Sequence, residues 1–162
     1  MAHIAYLLLG SNLGDREKIL KNAATNIEVK IGNINVYSSI YETLAWGIED
    51  QPAFLNQVIV VSTKLNPHEL LASINAIETE LGRVRHEKWG ERLIDIDILY
   101  FDNLVISTEV LVIPHPEIAN RRFTLIPLAE IAPDLEHPVL GNTQEELLEA
   151  CEDELKVKKM SF

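Results

Sequence analysis

Leu93-Ile94-Asp95-Ile96-Asp97-Ile98-Leu99-Tyr100-Phe101 is the stretch on which the fold turns. Its length and apolar content read as a strand. Alternate residues of a strand face opposite ways, so Ile94, Ile96 and Ile98 are predicted to meet a core. Asp95 and Asp97 then share the other face, with Cα atoms roughly 6.5–7 Å apart.

Upstream, Asn66 and Pro67 with Glu69 supply an N-cap, a proline at the first helical position and an acid in the first turn. Leu70, Leu71, Ile74, Ile77 and Leu81 recur at helical spacing, and Gly82 is a stop. Before that helix, Phe54 to Thr63 and Ile34 to Glu42 are β-rich. Thr43 to Pro52 reads as a long loop between them. Asp15 caps a second amphipathic helix to about Lys30, carrying Ile19, Leu20, Ala23, Ala24 and Ile27. Ile4 to Leu9 is the opening strand.

The order β-α-β-β-α-β predicts an α+β fold, a ferredoxin-like sandwich. Two helices cover one face of an antiparallel sheet, and the other face is left for a site. After Phe101 an irregular and helical extension is expected, punctuated by Pro114, Pro116, Pro127, Pro133 and Pro138. Thr143 and Glu146 form a capping box for a last helix to about Glu154. Residues 1–162 are read as a single domain whose tail, from about 155 on, is frayed.

The 162 residues carry a formal net charge of -11, which argues against a broad nucleic-acid face but not against a small basic pocket. A lone cysteine, Cys151, fits a reducing compartment. No basic segment precedes an apolar N-terminal run, and no apolar run approaches the roughly 20 residues of a membrane span. The expected address is the cytoplasm.

Aspartate is depleted in strands, so a same-face pair wants a reason. Hard oxygens at that spacing suit Mg²⁺ ions completed by water and phosphates. For an isolated Asp-x-Asp a solvated sheet edge is the better explanation, because the pattern is common. The preceding Arg83-Val84-Arg85-His86-Glu87-Lys88-Trp89-Gly90-Glu91-Arg92 shifts the balance. Arginine forks match phosphate oxygens, and Trp89 on a hinge-like loop could cover a ligand. Pro114-His115-Pro116 and Asn120-Arg121-Arg122-Phe123 add phosphate donors. Trp46, Phe54 and Asn56 could sandwich a flat ring and read its edge. There is no P-loop, no Gly-x-Ser-x-Gly elbow and no zinc pattern. A metal-dependent phosphoryl transferase accounts for these features. Another Asp-x-Asp nucleotidyl- or glycosyltransferase and a non-catalytic ligand-sensing module are the competing classes.

From Ile4 to about Pro138 the chain resembles the 6-hydroxymethyl-7,8-dihydropterin pyrophosphokinases of folate biosynthesis. The resemblance rests on Leu9-Gly10-Ser11-Asn12-Leu13-Gly14 and on Asp50-Gln51-Pro52 through Phe54-Leu55-Asn56. It rests further on Gly82-Arg83-Val84-Arg85, Trp89-Gly90, Arg92 with Asp95-Ile96-Asp97-Ile98, Pro114-His115, and Asn120-Arg121 with Phe123. It implies a monomer that moves pyrophosphate from ATP to the pterin hydroxymethyl group and releases AMP.

The resemblance also implies residue roles. Asp95 and Asp97 would hold two Mg²⁺ ions. Arg83, Arg85, Trp89, Arg92, Ile98, His115, Arg121 and Asn75 would meet ATP, with Glu78 lining the same region. Thr43, Leu44, Ala45, Trp46, Phe54, Asn56, Trp89, Asp95 and Phe123 would meet the pterin. Arg83 and Arg92 join the aspartates as catalytic residues. The chain departs from the family's usual pattern at Leu44-Ala45-Trp46, Asn75, Val112 and Pro116.

Overall fold

The computed structural model describes residues 2–43, 53–82 and 93–161. Strand β1 (His3–Ser11) leads through Asp15, whose side chain accepts the Lys18 N–H, into α1 (Arg16–Lys30). The expected β-rich run is divided into β2 (Gly32–Tyr37) and β3 (Tyr41–Thr43). Next come β4 (Phe54–Thr63) and α2 (Pro67–Gly82). Asn66 Oδ1 accepts the Glu69 N–H at 2.8 Å while Glu69 Oε1 accepts the Asn66 N–H at 2.9 Å, so the cap is reciprocal. Strand β5 (Asp95–Phe101) closes the β-α-β-β-α-β frame.

The six-stranded sheet runs β5-β1-β4-β3, with a last short strand beyond β3 and with β2 beside β4. The β1–β4, β1–β5, β2–β4 and β3–β4 pairs are antiparallel. Both long helices lie on one face, where Leu7, Leu9, Leu20, Ile27, Ile59, Ile74, Ile77, Ile96 and Ile98 form the main core. This is the expected ferredoxin-like sandwich.

Three expectations are corrected beyond Phe101. First, the opposite sheet face is not wholly free. Short strands β6 (Ile106–Ser107) and β7 (Val112–Ile113) are followed by α3 (Arg122–Ile131) and α4 (Gln144–Ala150). These helices build a second core from Leu8, Val58, Leu99, Tyr100, Leu125, Leu128 and Leu147. Helix α3 contains Pro127, which argues for a loop by local rules, yet the segment buries Leu125, Pro127 and Leu128. Second, α4 stops at Ala150, four residues short of the expected Glu154, although its Thr143–Glu146 capping box is present. Third, the lysine-rich tail is ordered as β8 (Val157–Lys159). It pairs with the otherwise open edge of β3, matching Tyr41 with Lys159 and Thr43 with Val157.

Candidate active site

The part of the second sheet face beyond the second core is built by register. Asp95 pairs with Gly10 on β1, and Gly10 pairs with Asn56 on β4. Paired residues point the same way, so Asp95, Gly10 and Asn56 make one row across three strands. Asp97, Leu8 and Val58 make the next row toward the second core. Thr43 and Phe54 pair one step farther out on the same face.

Glycine at position 10 is a packing requirement. A Cβ there would lie 2.8 Å from Asn56 Nδ2, so the bare backbone lets the amide lie across it. Asn56 is buried, and its Nδ2 donates to the Leu9 carbonyl at 3.3 Å. Thr43 Oγ1 is buried with no hydrogen-bond partner among the described residues, as is Ser11 Oγ. An unpartnered buried hydroxyl on the row beside Asn56 suits a polar ligand.

Asp95 and Asp97 are half-buried, while Ile94, Ile96 and Ile98 are buried in the helix-side core, as strand alternation predicts. The Ile96 N–H donates to Glu78 Oε2 on α2 at 2.8 Å, so this N–H faces away from β1 along the sheet's outer edge. Ile98 shares that orientation by alternation, and its buried side chain leaves only its main chain for a ligand. Asn75 is exposed one turn ahead of Glu78, and no described contact ties it to the aspartates.

The alternation of β5 breaks at Leu99. Tyr6 pairs with Tyr100 and Leu7 with Ile98, leaving Leu99 as a bulge. Leu99 and Tyr100 therefore both enter the second core, while Ile98 and Phe101 enter the first. The Leu99 carbonyl accepts the His115 N–H at 3.0 Å. His115 Nδ1 in turn accepts the Glu117 N–H at 3.1 Å, which places the neutral ring's proton on Nε2 as a donor. Burial pushes the His115 pKa below its usual range. The Asp97 charge works the other way, Arg121 adds to the lowering, and Glu117 opposes it. His115, Asp97 and Arg121 thus sense one another electrostatically.

Arg121 precedes α3, and its guanidinium sits 5.6 Å from the centre of the Phe123 ring, which packs partly against the second core. The structure thus brings together Asp97, His115 and Arg121 on one side and Thr43, Phe54 and Asn56 on the other, with Asp95 in the Gly10 row. Leu44, Ala45, Trp46, Arg83, Arg85, Trp89 and Arg92 lie outside the described residues. Sequence reasoning did not single out Glu117 or the Leu99 bulge. The only local trace of the bulge is the run of four apolar residues, 98–101, that replaces the alternation.

Among the described residues no three His, Cys, Asp or Glu side chains gather as a metal cage. Two neighbouring carboxylates fit Mg²⁺ nonetheless, because this ion keeps several waters and takes much of its shell from substrate phosphates. Zinc would demand a fuller protein shell.

The sequence pattern of the family described as 7,8-dihydro-6-hydroxymethylpterin-pyrophosphokinase (HPPK) matches residues 6–133. A Bacillus subtilis (strain 168) protein named 2-amino-4-hydroxy-6-hydroxymethyldihydropteridine pyrophosphokinase is 47% identical over 137 residues, covering 84% of this chain and 82% of its own. A Methylorubrum extorquens protein of the same name is 46% identical over 132 residues, covering 81% and 84%. In fold, the chain is similar to wild-type Plasmodium falciparum HPPK-DHPS crystallised with STZ-DHP, with a TM-score of 0.75 at 21% identity. That match covers 93% of this chain and 43% of the larger one.

Proposed function

The chain belongs to the 7,8-dihydro-6-hydroxymethylpterin-pyrophosphokinase family, and from that membership we propose how its residues divide the work of the reaction. The enzyme transfers pyrophosphate from ATP to the hydroxymethyl group of 6-hydroxymethyl-7,8-dihydropterin in folate synthesis. A bond forms between the hydroxymethyl oxygen and the β-phosphorus. The bond from that phosphorus to the oxygen shared with the α-phosphate breaks, the hydroxyl proton is released, and AMP leaves.

The observation that carries the assignment is the row Asp95–Gly10–Asn56. It sets a carboxylate and an amide on either side of a bare strand, with strands about 4.8 Å apart. On the amide side, Asn56 and Thr43 read the pterin's polar edge, and Phe54 and Phe123 stack on its flat ring. Leu44, Ala45, Trp46 and Trp89 are assigned to the same ligand by family pattern. On the carboxylate side, His115 donates Nε2–H and Arg121 its guanidinium to ATP phosphates. Arg83, Arg85 and Arg92 join them, Ile98 contributes main-chain groups, and Asn75 and Trp89 complete the nucleotide contacts.

Asp95 and Asp97 would hold a pair of Mg²⁺ ions, which supply charge neutralisation and orientation of the phosphate oxygens. The protein's own share is positional. Phosphoryl transfer asks for an aligned acceptor, preorganised positive charge and little covalent participation. Exclusion of water matters as well, because water competes with the pterin hydroxyl. A single pyrophosphokinase domain acting as a cytoplasmic monomer completes the reading. The free Cys151 fits the reducing interior of a cell. Among the described residues no helix is long and apolar enough to cross a membrane.

The test is AMP release from ATP with and without the pterin, at graded Mg²⁺ and after chelation. AMP that requires both pterin and Mg²⁺ is the expected result. Turnover that survives chelation would remove the metal from the aspartates.

A further inference from the structure

Arg16 opens α1, where a cation meets the positive end of the helix dipole. That placement is locally unfavourable, and its compensation lies elsewhere in the fold. Arg16 Nη1 donates to the Ala53 carbonyl at 2.7 Å and lies 2.9 Å from Glu42 Oε2. The two side chains are only 26% and 22% exposed, so solvent screens the pair less than it would a surface pair.

The two partners flank residues 44–52 in sequence. Glu42 sits in the three-residue ladder Tyr41–Asn56, Glu42–Leu55, Thr43–Phe54. Ala53 directly precedes Phe54, and Thr43–Phe54 is the ladder's last pair. Strand β8 pairs with the outer edge of β3, Thr43 with Val157. The inner ladder to β4 is only three pairs long and ends at Thr43–Phe54, where a side-chain tie adds most. Arg16 ties both of its strands from a third element, through charge-assisted bonds.

We infer that Arg16 is a positioning residue for the pterin, acting through Glu42 and Ala53 to hold Thr43, Phe54 and Asn56 in register. This rests on the reading of Phe54 and Asn56 as pterin contacts. The nucleotide side is anchored separately. Asp95 and Asp97 belong to β5, on the far side of β1 from β4, and His115 is held by Leu99 and Glu117. Loss of Arg16 therefore weakens one substrate and spares the other.

The experiment compares Arg16→Met, Arg16→Lys, Glu42→Gln, the Arg16→Met/Glu42→Gln double variant and Phe54→Ala. Each is measured for thermal midpoint, kcat and both KM values. Arg16→Met is expected to raise the pterin KM about tenfold, equivalent to about 1.4 kcal/mol, with the ATP KM and kcat nearly unchanged. Arg16→Lys recovers part of the loss, and the double variant is little worse than Arg16→Met alone, as for two residues acting as one unit. Glu42→Gln keeps the side-chain size and carries the test should Arg16→Met fail to fold. An unchanged pterin KM in Arg16→Met or Glu42→Gln, with a raised one in Phe54→Ala, overturns the inference alone. So does a joint loss of midpoint, kcat and both KM values, which marks a general fold defect. An unchanged pterin KM in Phe54→Ala overturns the pterin reading itself, and the inference with it.

Discussion

The His115 N–H donates to the Leu99 carbonyl at 3.0 Å, and this bond joins the bulge of the aspartate strand to the segment that carries the imidazole. The bulge lets Leu99 and Tyr100 both enter the second core, and its carbonyl anchors His115 near Asp97. With Nδ1 occupied by the Glu117 N–H, the ring presents Nε2–H as its free donor. His115→Ala is expected to lower kcat/KM for ATP about 10- to 100-fold, in line with about 1.5–3 kcal/mol for a hydrogen bond to a charged group. Its pterin KM should hardly move. Steady-state kinetics with each substrate varied in turn checks this, and an unchanged ATP dependence would remove His115 from the nucleotide site.

Asp97 is half-buried on the edge strand β5, its charge is felt by His115, and it is a charged residue rather than a member of either apolar core. Asp97→Ala should therefore abolish pterin-dependent AMP release while the thermal midpoint stays within a few degrees of the parent. A Mg²⁺ titration of the parent and variant completes the test. A variant that retains most of its turnover contradicts the metal assignment.

The frame that carries the candidate site is legible in the one-dimensional pattern, because its elements have strong local signals. The Asn66–Pro67–Glu69 cap and the Ile-Asp-Ile-Asp-Ile alternation each act over a few residues, so local rules suffice. Features that depend on distant partners are not legible. Pro127 argues against a helix until Tyr100 and Val58 supply a core for α3 to cover. Lys156, Lys158 and Lys159 read as a solvated tail, and β8 forms because β3 offers an open edge and Met160 N–H reaches the Ile40 carbonyl. The Arg16–Ala53 bond spans 37 positions and has no local signature.

Gly32 opens β2 against Thr63, and a Cβ there would stand 1.9 Å from the Ser62 carbonyl oxygen. The obstacle is backbone of the central β4 strand, which cannot yield without breaking its own pairs. Gly32→Ala should cost about 3 kcal/mol or more in urea unfolding, as overpacking at an unyielding contact does. Gly32 lies at the end of β4 away from Phe54 and Asn56, so kcat per folded molecule should be preserved. A stability close to the parent's would mean that β2 shifts to accept the methyl group.

His137 lies under Tyr100, with ring centres 5.7 Å apart, and its Nδ1 accepts the N–H groups of Val139 and Leu140 at 3.2 and 3.1 Å. Those bonds require an unprotonated Nδ1, and burial pushes the pKa below its usual 6.5. The unfolded chain thus takes up this proton at a higher pH than the folded one. The stabilisation is whole above pH 6.5 and is lost as the pH falls through the lower folded value. Unfolding free energies measured by urea at pH 7, 6 and 5 should decline more steeply for the parent than for His137→Asn. The asparagine keeps a side-chain acceptor within reach of the same turn but cannot titrate. His115, whose pKa burial also lowers, adds to the slope in both proteins, so the quantity to read is the difference between them. Parallel slopes would show that the turn from His137 to Leu140 holds without its neutral imidazole.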